Sequence, residues 1–240
     1  MELIPLKSQR LQSGSDLLLV FQNALEAKNE TLHNGDVLII ASKVVSYAEG
    51  MLFDVDGMEE FRALIRKEAD KVLEEGDMVI TMKNKILIPN AGIDNSNTPD
   101  GEVVLWPKKP FESARKIRKE LMSKYDLETL GVLITDSHCQ PLRMGTSGIG
   151  IGWAGFEGVQ DERGAEDLFG RKMVYTKIAV ADNLSSAATL EMGETNASIP
   201  FVIARNANVR FSDAEYSEDD YFIAPEECIY KSFYSDKLKG

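Results

Sequence analysis

Helix-type and strand-type patterns follow one another along the 240-residue chain without the regular alternation of a doubly wound parallel sheet. Apolar residues spaced three and four positions apart predict helices at 17–27, 58–75, 113–125 and 185–192. Short apolar runs predict strands at 37–40, 78–82, 86–88, 131–135 and 201–204. The second and third runs flank a polar turn, which indicates a hairpin. We therefore expect a mixed α+β fold with largely antiparallel sheets.

Residue types mark some of the boundaries. Ser15 and Asp16 precede the first helix, where their side-chain oxygens can accept hydrogen bonds from free amides. The second helix is predicted to extend to Glu75, because Gly76 follows its last apolar positions and glycine commonly ends helices. The glycine-rich stretch 148–152 has no helix pattern after it. It therefore predicts a closely packed strand and not a phosphate-binding loop.

Composition restricts the partners of this chain. There are 27 Lys and Arg against 39 Asp and Glu, a formal net charge of −12. This balance disfavours nucleic acid and anionic membranes as partners, because both are anionic themselves. The densest basic stretch, 108–119, is interrupted by acids and has helical spacing, so it predicts the solvated face of a helix. Cys139 and Cys228 lack a partner motif, which gives no support for a disulfide framework or a cysteine zinc site.

The length fits one domain over 1–240, or two smaller subdomains within it. The first residues lack the basic start and apolar run of a signal peptide. No segment approaches the roughly 20 apolar residues that a membrane helix needs. We expect a cytoplasmic protein.

Three acidic residues stand in contexts where a carboxylate can face a ligand. Asp94 lies in the polar segment 90–97, Asp136 and Ser137 follow an apolar strand, and Glu194 follows a helix pattern that ends at Gly193. Carboxylate and hydroxyl oxygens are ligands that Mg²⁺ and Mn²⁺ prefer. Local structure alone also explains each context, as an Asx-rich turn, a strand end or a glycine helix cap. A metal site therefore requires all three segments to converge.

Other chemistries find little support. The chain has no Walker-type Gly-Lys-Ser/Thr motif, and its two histidines, His33 and His138, lack the spacing of a zinc or iron site. Ser137 adjoins His138 in a predicted strand, where neighbouring side chains point to opposite faces. A serine-hydrolase pairing of these two residues is therefore disfavoured.

Five segments, in this order and spacing, resemble the coenzyme F420-0:gamma-glutamyl ligase family: 41–50, 90–97, 134–137, 167–171 and 192–200. The match extends from about Leu3 to about Arg205. The resemblance implies an intertwined homodimer of mixed α+β fold in the cytoplasm. It also implies a site for GTP and two divalent cations, Mn²⁺ or Mg²⁺. In that family GTP phosphorylates a carboxylate of the deazaflavin acceptor, and the amine of L-glutamate then displaces phosphate to form an amide.

Carried over position by position, the resemblance implies roles for individual residues. The implied metal ligands are Asp94, Asp136, Ser137 and Glu194. The implied nucleotide contacts are Ser42, Asn97, Met192 and Gly193. Arg143 is the implied substrate-binding residue. Each of these roles is an expectation from family likeness.

Several positions depart from the family pattern. Tyr47 stands where the family has a nucleotide-binding lysine, and Lys43 is the candidate to replace it, because in a strand both would lie on one side. Gln140 stands where the family often has arginine, and the loop 195–198 lacks the glycines that cradle phosphates. These departures leave open two alternatives: the same ligase chemistry on another carboxylate-bearing cofactor, or a nucleotide- and metal-binding homologue without turnover.

Overall fold

The computed structural model of the protein describes residues 1–233. In chain order its main elements are β1 (Glu2–Leu6), α1 (Leu17–Lys28), β2 (Asp36–Ala41), α2 (Ser42–Ala48), β3 (Leu52–Asp54), α3 (Gly57–Glu68), β4 (Lys71–Glu75), β5 (Val79–Lys83), β6 (Ile86–Pro89), β7 (Glu102–Val104), α4 (Pro110–Tyr125), β8 (Leu130–Cys139), β9 (Thr146–Ala154), β10 (Val159–Asp161), β11 (Lys177–Ala179), α5 (Val180–Met192) and β12 (Phe201–Arg205).

The central sheet has five strands in the order β1-β12-β2-β8-β9. β2 and β8 are parallel, whereas the other three pairings are antiparallel. Both faces of β2 are covered, since Leu38 and Ile40 face a cluster with α1 and α4 while Val37 and Ile39 face a cluster with α5. Burial on both faces explains why this strand is an unbroken apolar run. The expected mixed α+β fold is confirmed.

A smaller three-stranded antiparallel sheet, β4-β5-β6, packs with α3 around its own apolar cluster. The predicted hairpin of β5 and β6 is confirmed. Its turn residues Asn84 and Lys85 both have positive φ, 48° and 63°, as a two-residue hairpin turn requires. The 90–97 segment follows β6 directly, and the Asp94 backbone then pairs with Val104 of β7 through hydrogen bonds of 2.8 and 3.0 Å, which hold Asp94 in place.

The predicted helix at 58–75 is wrong in its second half. α3 ends at Glu68, and 71–75 is strand β4. Ala69 has extended backbone angles, and the Asp70 N–H donates to the Met82 carbonyl at 2.8 Å, which starts the pairing of β4 with β5. A bulge in that pairing between Val72 and Glu74 perturbs the alternation of apolar residues and lets the strand resemble a helix in sequence. Gly76 consequently follows a strand.

The remaining predicted helices and strands are present. Asp16 caps α1 by accepting from the Leu18 and Leu19 amides, and α5 begins at Val180, five residues before the predicted start. The glycine-rich stretch lies in β9, where a Cβ at Gly148 would overlap the α5 backbone at Ser185. The predicted closely packed strand is confirmed.

The basic stretch 108–119 does belong to α4 and the turn before it, and its lysines are exposed. Its arginines are not simply solvated. Arg115 donates to the Tyr216 carbonyl at 2.9 Å, and Arg118 contacts Asp213 at 2.7 Å. Both arginines thereby hold the segment 213–216 against α4. Within residues 1–233, no helix combines the length and apolar character needed to cross a membrane.

Candidate active site

A cleft of about 500 Å³ opens at the carboxyl ends of the parallel strands β2 and β8. Ala41 of β2 pairs with Thr135 of β8 as the last pair between these strands, so Ser42 and Asp136, which come next in the chain, both lie at this edge of the pairing. Nine of the ten predicted site residues line this cleft: Ser42, Lys43, Asp94, Asn97, Asp136, Ser137, Met192, Gly193 and Glu194. The tenth, Arg143, lies outside it, in the exposed turn between β8 and β9.

Asp94 is held by a cation and by its own turn. The Lys43 ammonium lies 2.7 Å from its Oδ2, and Ser96 donates to both carboxylate oxygens, from its backbone N–H at 2.6 Å and its hydroxyl at 2.9 Å. Burial raises the pKa of Asp94, but the hydrogen bonds from Lys43 and Ser96 and the charge of Lys43 outweigh it and leave the pKa lowered. Asp94 is thus anionic at neutral pH.

The prediction that Lys43 and Tyr47 lie on one side assumed a strand, but the segment that carries them is helix α2. The two positions still share one face, because residues four apart are neighbours on a helix. Burial, followed by the charge of Glu102, raises the pKa of Tyr47, so its hydroxyl is neutral. Lys43 is already paired with Asp94. Arg10 is a further cation on the cleft wall, and its charge acts on Tyr47 by lowering the pKa of the hydroxyl.

Asp136 lies inside β8, three residues before its end, and not at the predicted strand end. The Trp106 indole N–H donates to its Oδ2, and the Ser137 backbone N–H donates to its Oδ1 at 2.8 Å. Burial raises its pKa to about 6, and the negative charge of Asp94 acts in the same direction. The two carboxylates are therefore close enough to repel each other, which is the situation that a cation between them relieves.

Glu194 lies on the exposed rim of the same cleft, in the loop after α5. Gly193 ends α5 with a positive φ of 69°, as the local explanation of this glycine predicted. Asn97 donates from Nδ2 to the Thr195 carbonyl at 2.9 Å, which ties the 90–97 segment to this loop across the cleft. In the part of the chain that is described, no three His, Cys, Asp or Glu side chains form a group that could hold a metal ion.

The family model described as F420-0:Gamma-glutamyl ligase matches residues 5–206. The chain belongs to this family. It is 38% identical over 219 residues to the coenzyme F420:L-glutamate ligase of Methanocaldococcus jannaschii, covering 84% of this chain and 86% of that protein. For the Methanopyrus kandleri protein of the same name the identity is 36% over 222 residues, with 85% of each chain covered. For that of Halorubrum lacusprofundi it is 32% over 234 residues, with 88% of each covered.

The cleft of this gamma-glutamyl ligase family member has the donor chemistry of a magnesium or manganese site. Asp94, Asp136 and Ser137 all line the cleft, and their side chains are hard oxygen donors. Mg²⁺ is usually bound through one or two carboxylates together with phosphate oxygens and water. A pair of protein carboxylates therefore fits a cation that arrives with a nucleotide, and Glu194 on the rim is the further acid within the same cleft.

Sequence reasoning missed two residues of the site. Arg10 lies in an N-terminal polar stretch without a motif, so no sequence pattern indicates it. The structure places it in the same cleft as Tyr47, the position where the family resemblance implies a lysine. Trp106 belongs to an apolar run and reads as a core residue; it is in the core, yet it hydrogen-bonds a site carboxylate. Its indole N–H was the available signal, because a buried indole usually finds an acceptor.

Proposed function

We propose that this chain is a GTP-dependent, metal-assisted ligase that joins L-glutamate to coenzyme F420-0 through an amide bond. The observation that carries the proposal is that Asp94 and Asp136 line one cleft in a member of this family, with Lys43 paired to Asp94. A cleft of about 500 Å³ is within the size range of small-molecule sites.

The proposed reaction has two steps. A carboxylate oxygen of the acceptor attacks the γ-phosphorus of GTP, GDP leaves, and an acyl phosphate forms. The glutamate amine then attacks the acyl carbon, inorganic phosphate leaves, and the amine gives up a proton. Phosphorylation is needed because the oxygen of a free carboxylate leaves badly and its charge repels the nucleophile. Catalysis of such a transfer rests mainly on positioning and on charge stabilisation.

We assign the cleft residues to these tasks. Asp94, Asp136 and Ser137 would hold one divalent cation, Mn²⁺ or Mg²⁺, together with phosphate oxygens, and Glu194 on the rim would be the protein ligand of the second; these cations would neutralise charge on the transferring phosphoryl group. Lys43, Ser42 and Asn97 would contact the nucleotide, with Met192 and Gly193 forming the opposite wall. Arg143 would bind the substrate from the turn outside the cleft. We place the reaction in the cytoplasm.

We further propose that the chain works as a homodimer. The loop between β10 and β11 projects large apolar side chains, with Leu168 100%, Phe169 84% and Tyr175 90% exposed. Exposed apolar groups of this kind mark interaction surfaces when they are contiguous. The turn that carries Arg143 also exposes Leu142 and Met144, so a second copy covering these residues would bring Arg143 into a protein environment.

The test is a product assay on the purified chain with GTP, Mn²⁺, L-glutamate and F420-0, read by mass spectrometry for the glutamyl adduct. Asp136→Asn keeps the side-chain volume but removes a ligand charge, and its rate should fall on the order of 100-fold or more. Asp126→Asn is the matched control, because Asp126 caps α4 in a left-handed conformation that asparagine tolerates.

The outcomes separate the alternatives. A glutamyl product from the parent chain and the Asp126 variant, lost in the Asp136 variant, supports the proposal. A glutamyl product formed with another carboxylate-bearing cofactor, but not with F420-0, would indicate another acceptor, which the change to Tyr47 in the cleft favours. Tight nucleotide binding with neither hydrolysis nor product would rule out ligase turnover.

A further inference from the structure

Trp106 contacts both acidic segments of the cleft, although it is not itself part of the cleft wall. The side chain is 3% exposed and packs in the main core cluster. Its indole N–H donates to Oδ2 of Asp136, thirty positions away in sequence. An indole nitrogen is a donor only, so this bond suits the ionised carboxylate and leaves lone pairs of the same oxygen available.

The other side of the indole supports the segment that carries Asp94. Gly92 has a positive φ of 71°, and a Cβ added there would overlap the indole ring at Cε2, Nε1 and Cδ2. The 90–97 segment therefore lies directly on the tryptophan ring, two residues before Asp94. A residue with any side chain at position 92 would push this segment away from the ring.

We infer that Trp106 is a positioning residue that sets the separation and orientation of the Asp136 carboxylate relative to Asp94, and thereby the divalent-cation affinity of the pair. This inference rests on the proposed metal-assisted function. Hydrogen-bond partners that orient a metal ligand typically contribute 10–100-fold to metal affinity. A buried indole, locked by packing on Gly92, is suited to that task because its N–H direction is fixed.

Trp153 provides the matched control for Trp106. It is the second of the two tryptophans in the chain, 1% exposed, and packs edge-on against Phe111 with ring centroids 4.8 Å apart. Its indole nitrogen is buried without a hydrogen-bond partner in the described residues, and Trp153 does not line the cleft. Replacing either tryptophan by phenylalanine removes a similar volume from a core, but only one replacement removes a bond to a site carboxylate.

The experiment measures Mn²⁺ binding to the full-length chain, from the electron paramagnetic resonance signal of the free ion. Trp106→Phe should weaken Mn²⁺ binding about tenfold relative to the parent chain. Trp153→Phe should bind Mn²⁺ like the parent chain, although thermal unfolding should show a loss of stability in both variants. Equal Mn²⁺ affinity in the two variants would overturn the inference while leaving the proposed function in place.

A second measurement uses the unmodified chain and does not depend on either variant folding. Mg²⁺ titration followed by tryptophan emission should change the signal, because the Trp106 indole is bonded to the carboxylate that receives the cation. An unchanged emission at Mg²⁺ concentrations that displace bound Mn²⁺ would contradict the inference. If the parent chain binds no Mn²⁺ at all, with or without GTP, the metal-assisted function itself is wrong and the inference fails with it.

Discussion

The ammonium of Lys43, in the first turn of α2, lies 2.7 Å from the carboxylate of Asp94 and donates at 2.5 Å to the Ser96 carbonyl. An internal cation therefore occupies one carboxylate of the pair proposed to bind metal. Under the proposed function, a divalent ion at Asp94 would compete with this contact and free the lysine to meet the phosphates of a nucleotide. The ion pair would then couple metal binding to nucleotide binding.

Lys43→Met tests this connection, since methionine keeps the apolar stem and removes the charge. We expect Mn²⁺ without nucleotide to bind at least as tightly as in the parent chain, because the carboxylate has lost its competing cation. GTP affinity should fall about tenfold with the loss of a charged hydrogen bond. Isothermal titration with each ligand measures both effects, and Lys119→Met, on the exposed face of α4, is the control. A loss of both Mn²⁺ and GTP affinity in Lys43→Met would contradict competition between Lys43 and the cation for Asp94.

Arg10 and Tyr47 form the basis of a second prediction. Arg10 lies on the cleft wall and acts electrostatically on Tyr47, at the position where family resemblance implies a lysine. We expect Arg10→Gln to weaken GTP binding about tenfold. Tyr47→Lys in the Arg10→Gln background should restore most of that affinity, since it returns a cation to the same region. If titration shows GTP affinity unaffected by Arg10→Gln, another cation holds the triphosphate.

Strands that are buried on both faces could be predicted from the sequence, whereas a strand formed through tertiary pairing could not. The strands at 37–40 and 201–204 could be identified because both faces of the central sheet are covered, so nearly all their residues are apolar. The stretch 71–75 could not, because Val72 and Leu73 continue a helical spacing and only pairing with β5 makes them a strand. Such pairing is a tertiary effect that local sequence does not contain.

The same distinction applies to the site. Asp94 and Asp136 were found because a carboxylate among small polar residues, in a family-like order, is visible in the sequence. Their common cleft became visible only in the structure, through the parallel pairing of β2 with β8 and the pairing of Asp94 with Val104 of β7. The contribution of Trp106 depends on the direction of one N–H bond. No pattern of apolar residues specifies that direction.

Asp182 gives a pH-dependent prediction for stability. Burial raises the pKa of this carboxyl, although the Gly150 N–H donates to its Oδ1 at 3.0 Å and His138 lowers the pKa. The folded chain therefore holds the proton to higher pH than the unfolded chain does. The contribution of Asp182 to stability should fall as the pH rises from the ordinary Asp value of 3.8 through the raised pKa, and stay level above it.

Asp182→Asn removes this titration and keeps an oxygen that can accept from Gly150. The variant should melt at a higher temperature than the parent chain at pH 7, and at nearly the same temperature below pH 3.8. Circular-dichroism melts across this range measure the difference. Asp54→Asn, on exposed β3, is the control for the change of charge. A difference between Asp182→Asn and the parent that is constant with pH would contradict the prediction.

The tip of the β10–β11 loop tests the proposed homodimer. Asp167 accepts from the amides of Phe169 and Arg171 at 2.8 and 2.9 Å, and the Arg171 guanidinium lies over the Phe169 ring, so a defined turn presents this aromatic side chain outward. Phe169→Asp should shift the chain from dimer to monomer in analytical ultracentrifugation, because a charge in an apolar contact carries a large desolvation cost. Met58→Glu, which places an acid in the first turn of α3, should stay dimeric. A parent chain that sediments as a monomer would exclude the dimer, and a dimeric Phe169→Asp variant would place the interface elsewhere.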